Sequence, residues 1–537
     1  MADARPTSFS RPLQRVLASF QKPTDESADA GGNRIHVSDT VSRLAFVYEK
    51  IRNIIDYKEE HLLRKNAIHR ILKRRVLLGG GTGATVARPL IVELIQARYL
   101  PNDYVPESKV EHVRQITDRW LSLSRTSGEG LSWTDRDELH RWLLGLAAVE
   151  IEQALASNRR EQALAEAMYE VATQDLTLVA PQPINQTDRN LQLYLAIHRA
   201  LLKADEAMVA YVLFRLHRPD WDRLDEAGVQ QLGRSFNQLR DELEAQQHHP
   251  LGEFLYRYVK RYTAFFWIIR DVVEEQPSAA LSTFASPELL DEAIRRAAGR
   301  RYADARLRLR RSVIRSFIFI FLTKMLLAFV VEVPFELFIN GAVDRATLGI
   351  NILFHPLLMF LVASTIRVPS KKNTDKLIAG VHEIAYKDDG RQLLKRAKMS
   401  GRRGPLMRGI VALLYAATFI ISFGLIIRLL SWLNFNVVSG ALFIFFLSII
   451  SFFAVRIRIS AREYVVLEQR EGPLGFIVDF LTLPILRVGR WISLRAPKVN
   501  IVLFILDFLI EAPFKSFLEI LEELTSFLRE KKEEITP

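Results

Sequence analysis

The sequence predicts an all-α protein in two parts: a helical cytoplasmic domain, then a multi-pass transmembrane helical bundle of about four spans with two short re-entrant or interfacial helices. Three observations carry this. Four apolar stretches, at 313–339, 346–366, 409–430 and 436–455, match the roughly 20 residues a helix needs to cross a hydrocarbon core of about 30 Å. Charge is segregated along the chain. From Gly409 to Val455 only Arg428 is charged, whereas Arg295 to Arg315 holds nine arginines against one acid, Asp304. Before residue 280, apolar residues recur at steps of three and four without a convincing strand or hairpin signal.

Residues 1–38, rich in Ser, Pro, Ala, Asp and Gly, read as a disordered tail that lacks the apolar core of a secretory signal. Within it Phe9, Leu13, Val16, Leu17 and Phe20 share one helical face, which suits a short docking helix or a contact with a membrane surface or partner groove. Asp39 is placed to cap a long helix ending near Leu78, with a seam at Leu44, Tyr48, Ile51, Ile55, Lys58 and Leu62. Helical patterns follow at 107–123, 134–157, 159–174, 188–203, 205–217, 226–247 and 250–275, completing a helical cytoplasmic domain over 39–285. A basic stalk helix over 286–312 opens at Ser286-Pro287 and runs directly into the first apolar stretch.

The spans divide as 313–366 for the first and second and 409–455 for a hairpin of the third and fourth, turning at Asn434 and Asn436. Between them 367–408 reads as a basic cytoplasmic loop, with twelve basic residues against four acids. Residues 456–512 read as a cytoplasmic loop whose apolar runs are interfacial or re-entrant, because Asp479, Pro484, Asp507 and Glu511 interrupt them. Every basic block falls on one side of such a bundle, which puts both termini in the cytoplasm. Arg306, Arg308, Arg310, Arg311, Lys371, Lys372, Arg402 and Arg403 are the residues expected to set topology or meet lipid headgroups. An amphipathic helix over 513–537 carries Glu519, Glu522 and Glu523, and is expected to pack on the stalk at Arg300 and Arg301.

Topology and lipid account for most of the net charge of +12, and no motif for nucleic acid competes with them. The chain has no cysteine, which excludes disulfides, thiolate zinc sites, iron–sulfur ligation and cysteine nucleophiles. The histidines lack zinc spacing and no hydrolase elbow or kinase set is present, so neither a metal, a cofactor nor an enzyme is expected.

Two constellations remain. Lys324, Glu332 and Glu336 lie within the first span and His355 within the second, where ionisable groups are costly and face a bundle interior, a partner or water. Glu332 and Glu336 share a helical face unless Pro334 turns it. The plainer reading pairs Lys324 with an acid and makes His355 a hydrogen-bonded packing residue; the functional one makes them a transport path or proton relay. The second constellation is Gly79-Gly80-Gly81-Thr82-Gly83, followed by an apolar helix. Over fewer than ten residues it resembles the glycine-rich phosphate signature of tubulin-type GTPases, and the resemblance implies phosphate held by backbone N–H groups. The preceding strand and nucleotide-binding half of that family are missing, and a joint between helices uses glycines equally well.

The expectation is therefore a membrane-anchored scaffold whose domain over 39–285 binds protein partners. A transporter or channel using the charges of the first span is one alternative, and a nucleotide-coupled membrane protein using the glycine loop is another.

Overall fold

The structure is a computed structural model that describes residues 9–21, 33–38, 46, 49, 59–78, 80–181, 183–340, 345–364, 371–386, 397–399, 404–461, 473–495 and 520. Apart from one two-residue parallel strand pair, β1 (Leu178–Val179) with β2 (Ala397–Lys398), the described elements are helices. The N-terminal region runs α1 (Arg11–Gln21), α2 (Glu60–Leu72), α3 (Gly83–Gln96), α4 (Ser108–Ser127), α5 (Trp133–Leu155), α6 (Arg159–Asp175), α7 (Gln186–Leu201), α8 (Glu206–His217), α9 (Glu226–Gln247), α10 (Pro250–Val259), α11 (Thr263–Glu275) and α12 (Ala280–Ala285). Several starts are set by the side chain just before them. Ser132, Asn185, Asp205, Asp225 and His249 each accept a hydrogen bond from a first-turn N–H that would otherwise lack a partner.

These helices bury two hydrophobic cores. One joins α2, α3, α4, α5, α8 and α9 around Trp120, Phe214, Trp221 and Phe236. The other joins α1, α6, α7, α10, α11 and α12 with Ala397 of β2 and two helices from further along the chain. The first is the N-terminal part of α13 (Pro287–Leu327), which contributes Leu290, Ala293, Ile294, Ala297 and Ala298. The second is α16 (Lys371–Ala385), which contributes Leu377, Val381, Ile384 and Ala385.

Two expectations change here. Within the segment expected to be disordered, α1 is docked on α6 and buries Leu13, Val16, Leu17 and Phe20, while Ile35 pairs its N–H with Val105 O. The apolar face found a groove in the same chain. The stretch expected as a basic loop, 367–408, holds α16 and β2, because Leu377, Val381 and Ile384 recur at helical spacing beneath the basic residues and fill the second core. Arg300 and Arg301 of the stalk pair with Glu275 and Asp271 of α11. The acidic C-terminal face expected there lies outside the described residues, as do Asp39 and the seam residues Leu44, Tyr48, Ile51, Ile55 and Lys58.

Beyond residue 313 the chain forms an apolar bundle. Among the described residues three helical stretches are long and apolar enough to cross a membrane: Pro287–Phe338, Pro405–Trp432 and Val437–Arg458. In Pro405–Trp432 only 11% of the most apolar window is buried, so its leucines and isoleucines face outward as lipid-facing side chains do. The first stretch comprises α13, a π-helical turn at Ala328–Glu332 and most of α14 (Val333–Asn340). The π turn has a cause in sequence. Pro334 has no N–H and its ring crowds the preceding carbonyls, and the ladder slips so that Val333 N–H donates five residues back to Ala328 O. Then come α15 (Arg345–Ser364), with a shorter apolar run at Thr347–Leu361, α17 (Pro405–Trp432) and α18 (Val437–Ala461). The turn between α17 and α18 holds Asn434 at φ +58, and Asn436 accepts from Ser439 N–H to start α18.

The first of the two short helices expected in 456–512 is α19 (Pro473–Arg495), continuous through Pro484. It packs between α17 and α18, where Ser422 donates to Leu481 O and a Cβ on Gly489 would overlap Ser448 O. The run at 499–512 lies outside the described residues.

Candidate functional site in the apolar bundle

All four ionisable residues singled out in the first two apolar stretches are buried, on faces turned toward the bundle interior. Lys324, Glu332 and His355 are at most 1% exposed and Glu336 is 3% exposed. The π turn sets the rotation of Glu332 while α15 supplies the opposite wall. Asn351 Nδ2 donates to Glu332 Oε1 at 2.6 Å, and one turn further on His355 stands between helices. Its Nδ1 lies 3.1 Å from Asn351 O and its Nε2 3.0 Å from Phe443 O of α18. Both neighbours are carbonyl acceptors. A neutral imidazole has one N–H, so both contacts become hydrogen bonds only when the ring carries two protons.

Glu336 shares the inward face with Glu332, as their spacing of four implies, and accepts from Asn436 Nδ2 at 3.1 Å. Thr347 donates to Leu433 O at 3.4 Å, so the ends of α14, α15 and α17 meet around the α17–α18 turn. Lys324 departs from the plainer reading. Its Nζ makes no hydrogen bond and sits 4.7 Å from the centre of the Phe446 ring, a cation–π contact rather than an ion pair. Glu332 Oε2, Asn351 Oδ1 and Ser439 Oγ also lack hydrogen-bond partners. Such a buried group costs about 1–3 kcal/mol, more when charged. The arrangement offers a donor, an acidic oxygen and an amide oxygen to a proton or a water molecule in an otherwise apolar setting.

Asn351 was missed by sequence reasoning, and so was Thr347. A signal existed: Thr347, Asn351 and His355 are spaced by four, a polar stripe along one face of an apolar helix.

The glycine loop has a different geometry. Gly79 lies outside the described residues. Gly80, at φ +62, and Gly81 donate to Val76 O and Arg75 O and close the preceding helix. The start of α3, where a phosphate would sit, is filled by the chain itself: Gly83 N–H donates to Asp118 Oδ1 at 2.8 Å, and Arg114 holds the other oxygen at 2.9 Å. A Cβ on Gly83 would lie 2.5 Å from Arg114 O, so close helix approach explains this glycine. Thr82 N–H is taken by Thr85 Oγ1.

Of the topology residues, Arg306, Arg308, Arg310, Arg311, Lys371 and Lys372 are exposed, and Arg402 and Arg403 lie outside the described residues. Among the described residues no group of three or more His, Asp or Glu could hold a metal ion. Comparison with protein-family models, with curated proteins and with solved structures yields no match, and function rests on this geometry.

Proposed function

We propose that the chain is a multi-pass membrane protein with four crossings, its helical region and both termini cytoplasmic, whose bundle passes protons through Lys324, Glu332, Asn351 and His355. One observation carries this: Lys324 Nζ, Glu332 Oε2 and Asn351 Oδ1 are all buried among apolar helices without a hydrogen-bond partner. A purely structural cluster gains nothing from open valences in a low-dielectric setting, whereas a proton path needs groups that can bind and release. The topology draws support from packing. Because α16 belongs to the same core as α11, the chain that leaves through α13 and α14 has returned through α15 by residue 371. The contacts of Asn436 with Glu336 and of Thr347 with Leu433 gather the opposite ends.

The test is collapse of an imposed pH gradient in proteoliposomes carrying a pH-sensitive dye. Wild-type protein should dissipate it several-fold faster than empty vesicles, and Glu332→Gln should return the rate to that of empty vesicles. Wild-type vesicles no leakier than empty ones would refute the reading.

A second reading, a membrane-anchored scaffold with protein partners on the region 39–285, is favoured by Trp133. It stands 81% exposed at the start of α5, while Trp120, Trp221 and Trp267 are buried. Exposed tryptophan is a frequent anchor at interfaces. Loss of co-purifying protein in Trp133→Ala, with no proton flux in wild type, is the outcome this reading expects.

A further inference from the structure

The buried polar side chains of the bundle stop at one level on three helices. On α13, Ile320 lies one turn before Lys324; on α15, Met359 lies one turn after His355; on α18, Ile450 lies one turn after Phe446. Lys324, His355 and Phe446 meet. Lys324 Nζ sits over the Phe446 ring, and the His355 ring centre is 5.9 Å from that of Phe446. One turn on, Ile320, Met359 and Ile450 join Ala454 and Ile457 in an apolar cluster, the first three at most 3% exposed. Among the described residues of α13 to α15 and α18, the other buried polar side chains lie on the far side of this level. Ser448 is the exception, and it donates to its own Ile444 O.

The bundle therefore has two unlike halves. The polar half holds Glu332, Asn351 and Glu336 and reaches the α17–α18 turn, where Asn436 donates to Glu336. Glu336 is the buried acid nearest that end, and Glu332 follows four residues further in, about 6 Å of helix. The apolar half runs toward the stalk. Among the described residues, that half of α13, α15 and α18 buries no ionisable side chain. A proton moves along groups that bind it or along water, and packed aliphatic side chains supply neither. Such constrictions block ions by excluding water.

We propose, resting on the proton-path reading above, that protons enter the path from the outer side through Glu336 and meet its rate-limiting barrier at Ile320, Met359 and Ile450. On the topology given there, the polar half faces outward and the apolar layer faces the cytoplasm. A proton from the outer water binds the Glu336 carboxylate and is passed inward to Glu332 and His355. It crosses the layer only when water enters between the three side chains. The layer sets the rate and shields the cluster from the cytoplasm.

Flux and labelling of the full chain test this together. In proteoliposomes Ile450→Asn should collapse an imposed pH gradient about ten-fold faster than wild type, a barrier lowered by about 1.4 kcal/mol. Adding Glu336→Gln should cancel that gain, whereas a leak through a damaged fold would persist. Leu361→Asn, on an exposed face of α15, should leave the rate unchanged. For labelling, single cysteines are exposed to an impermeant cationic methanethiosulfonate in right-side-out and inside-out membrane vesicles. Glu336→Cys should react only in the former and Met359→Cys in neither. Ile450→Asn no faster than wild type, a gain that survives Glu336→Gln, or an equal gain in Leu361→Asn overturns the barrier. Reaction of Met359→Cys in inside-out vesicles, or of Glu336→Cys only there, overturns the sidedness. The two readings fail apart. A tight wild type with a conducting Ile450→Asn refutes the wild-type path and upholds the layer, and a conducting wild type that Ile450→Asn leaves unchanged does the reverse.

Discussion

Glu150 and Glu332 are both buried carboxylates on helices, and the chain treats them in opposite ways. In the N-terminal region Glu150 Oε2 accepts from two indoles, Trp120 at 2.8 Å and Trp221 at 2.9 Å, with Arg119 at 3.9 Å from its other oxygen. Its buried neighbours follow suit: Glu152 holds Arg64, Glu93 holds Arg74, and Glu49 holds Arg70. In the apolar bundle Glu332 receives a single amide hydrogen bond, and its other oxygen and the Lys324 amine stay open. The N-terminal region also leaves buried polar atoms without hydrogen bonds, Glu170 Oε2 and His198 Nε2 among them, but each of these carboxylates faces an arginine, and Glu332 faces none among the described residues. That difference gives the experiments their order.

The largest effect should come from Glu150→Ala. It strands two indole N–H groups and an arginine, and should destabilise the N-terminal region by about 3–5 kcal/mol in denaturant unfolding followed by near-ultraviolet circular dichroism. A loss below about 1 kcal/mol would remove the contrast at its stronger end.

Next is acid. Burial lowers His198 to about 4, so the folded chain holds this ring neutral where the unfolded chain protonates it below the ordinary value of 6.5. The unfolded state then binds more protons between those values, and stability is lost as pH falls through that window. About 2 kcal/mol should go between pH 7 and pH 5, and His198→Phe should abolish that share of the pH dependence. An unchanged profile in the variant would assign the acid sensitivity elsewhere.

A smaller effect, opposite in sign, sharpens the comparison. Replacing an unpaired buried cation by an apolar side chain of similar length is neutral or stabilising, so Lys324→Met should leave the bundle as stable as wild type or up to about 2 kcal/mol more so. An ion-paired Lys324 would make the same variant clearly destabilising. The smallest effect is Gly80→Ala, which meets open space but must adopt φ +62, and should cost about 1 kcal/mol of thermal stability through backbone strain alone.

Much of the bundle was legible in sequence because apolar length is a local property: 20 residues without charge have few homes. The burial of Lys324, Glu332, Glu336 and His355 was legible for the same reason, since a charge in such a run turns inward or finds water. Asn351 was harder to see, because one amide hardly alters the hydropathy of its surroundings and its meaning depends on Glu332, nineteen residues earlier. Helix α16 was hidden by its own charge: basic residues marked a loop, while Leu377, Val381 and Ile384 carried the fold. For α1 the apolar face was visible but the groove on α6 that receives it was not, because a partner surface made of distant segments leaves no local trace. Gly83 left the phosphate and joint readings unresolved in a similar way. The carboxylate that fills the helix terminus, Asp118, arrives from another helix.

The most direct measurement uses the chain's lack of cysteine. Asn351→Cys and, as a lipid-facing comparison, Leu361→Cys would be reconstituted in vesicles and challenged with a small cationic methanethiosulfonate, which reacts with thiolates and so requires water at the sulfur. A hydrated proton path predicts that Asn351→Cys is modified and that Leu361→Cys is not. If residue 351 proves as inert as residue 361, the cluster is dry and the open polar atoms of the bundle are not a path.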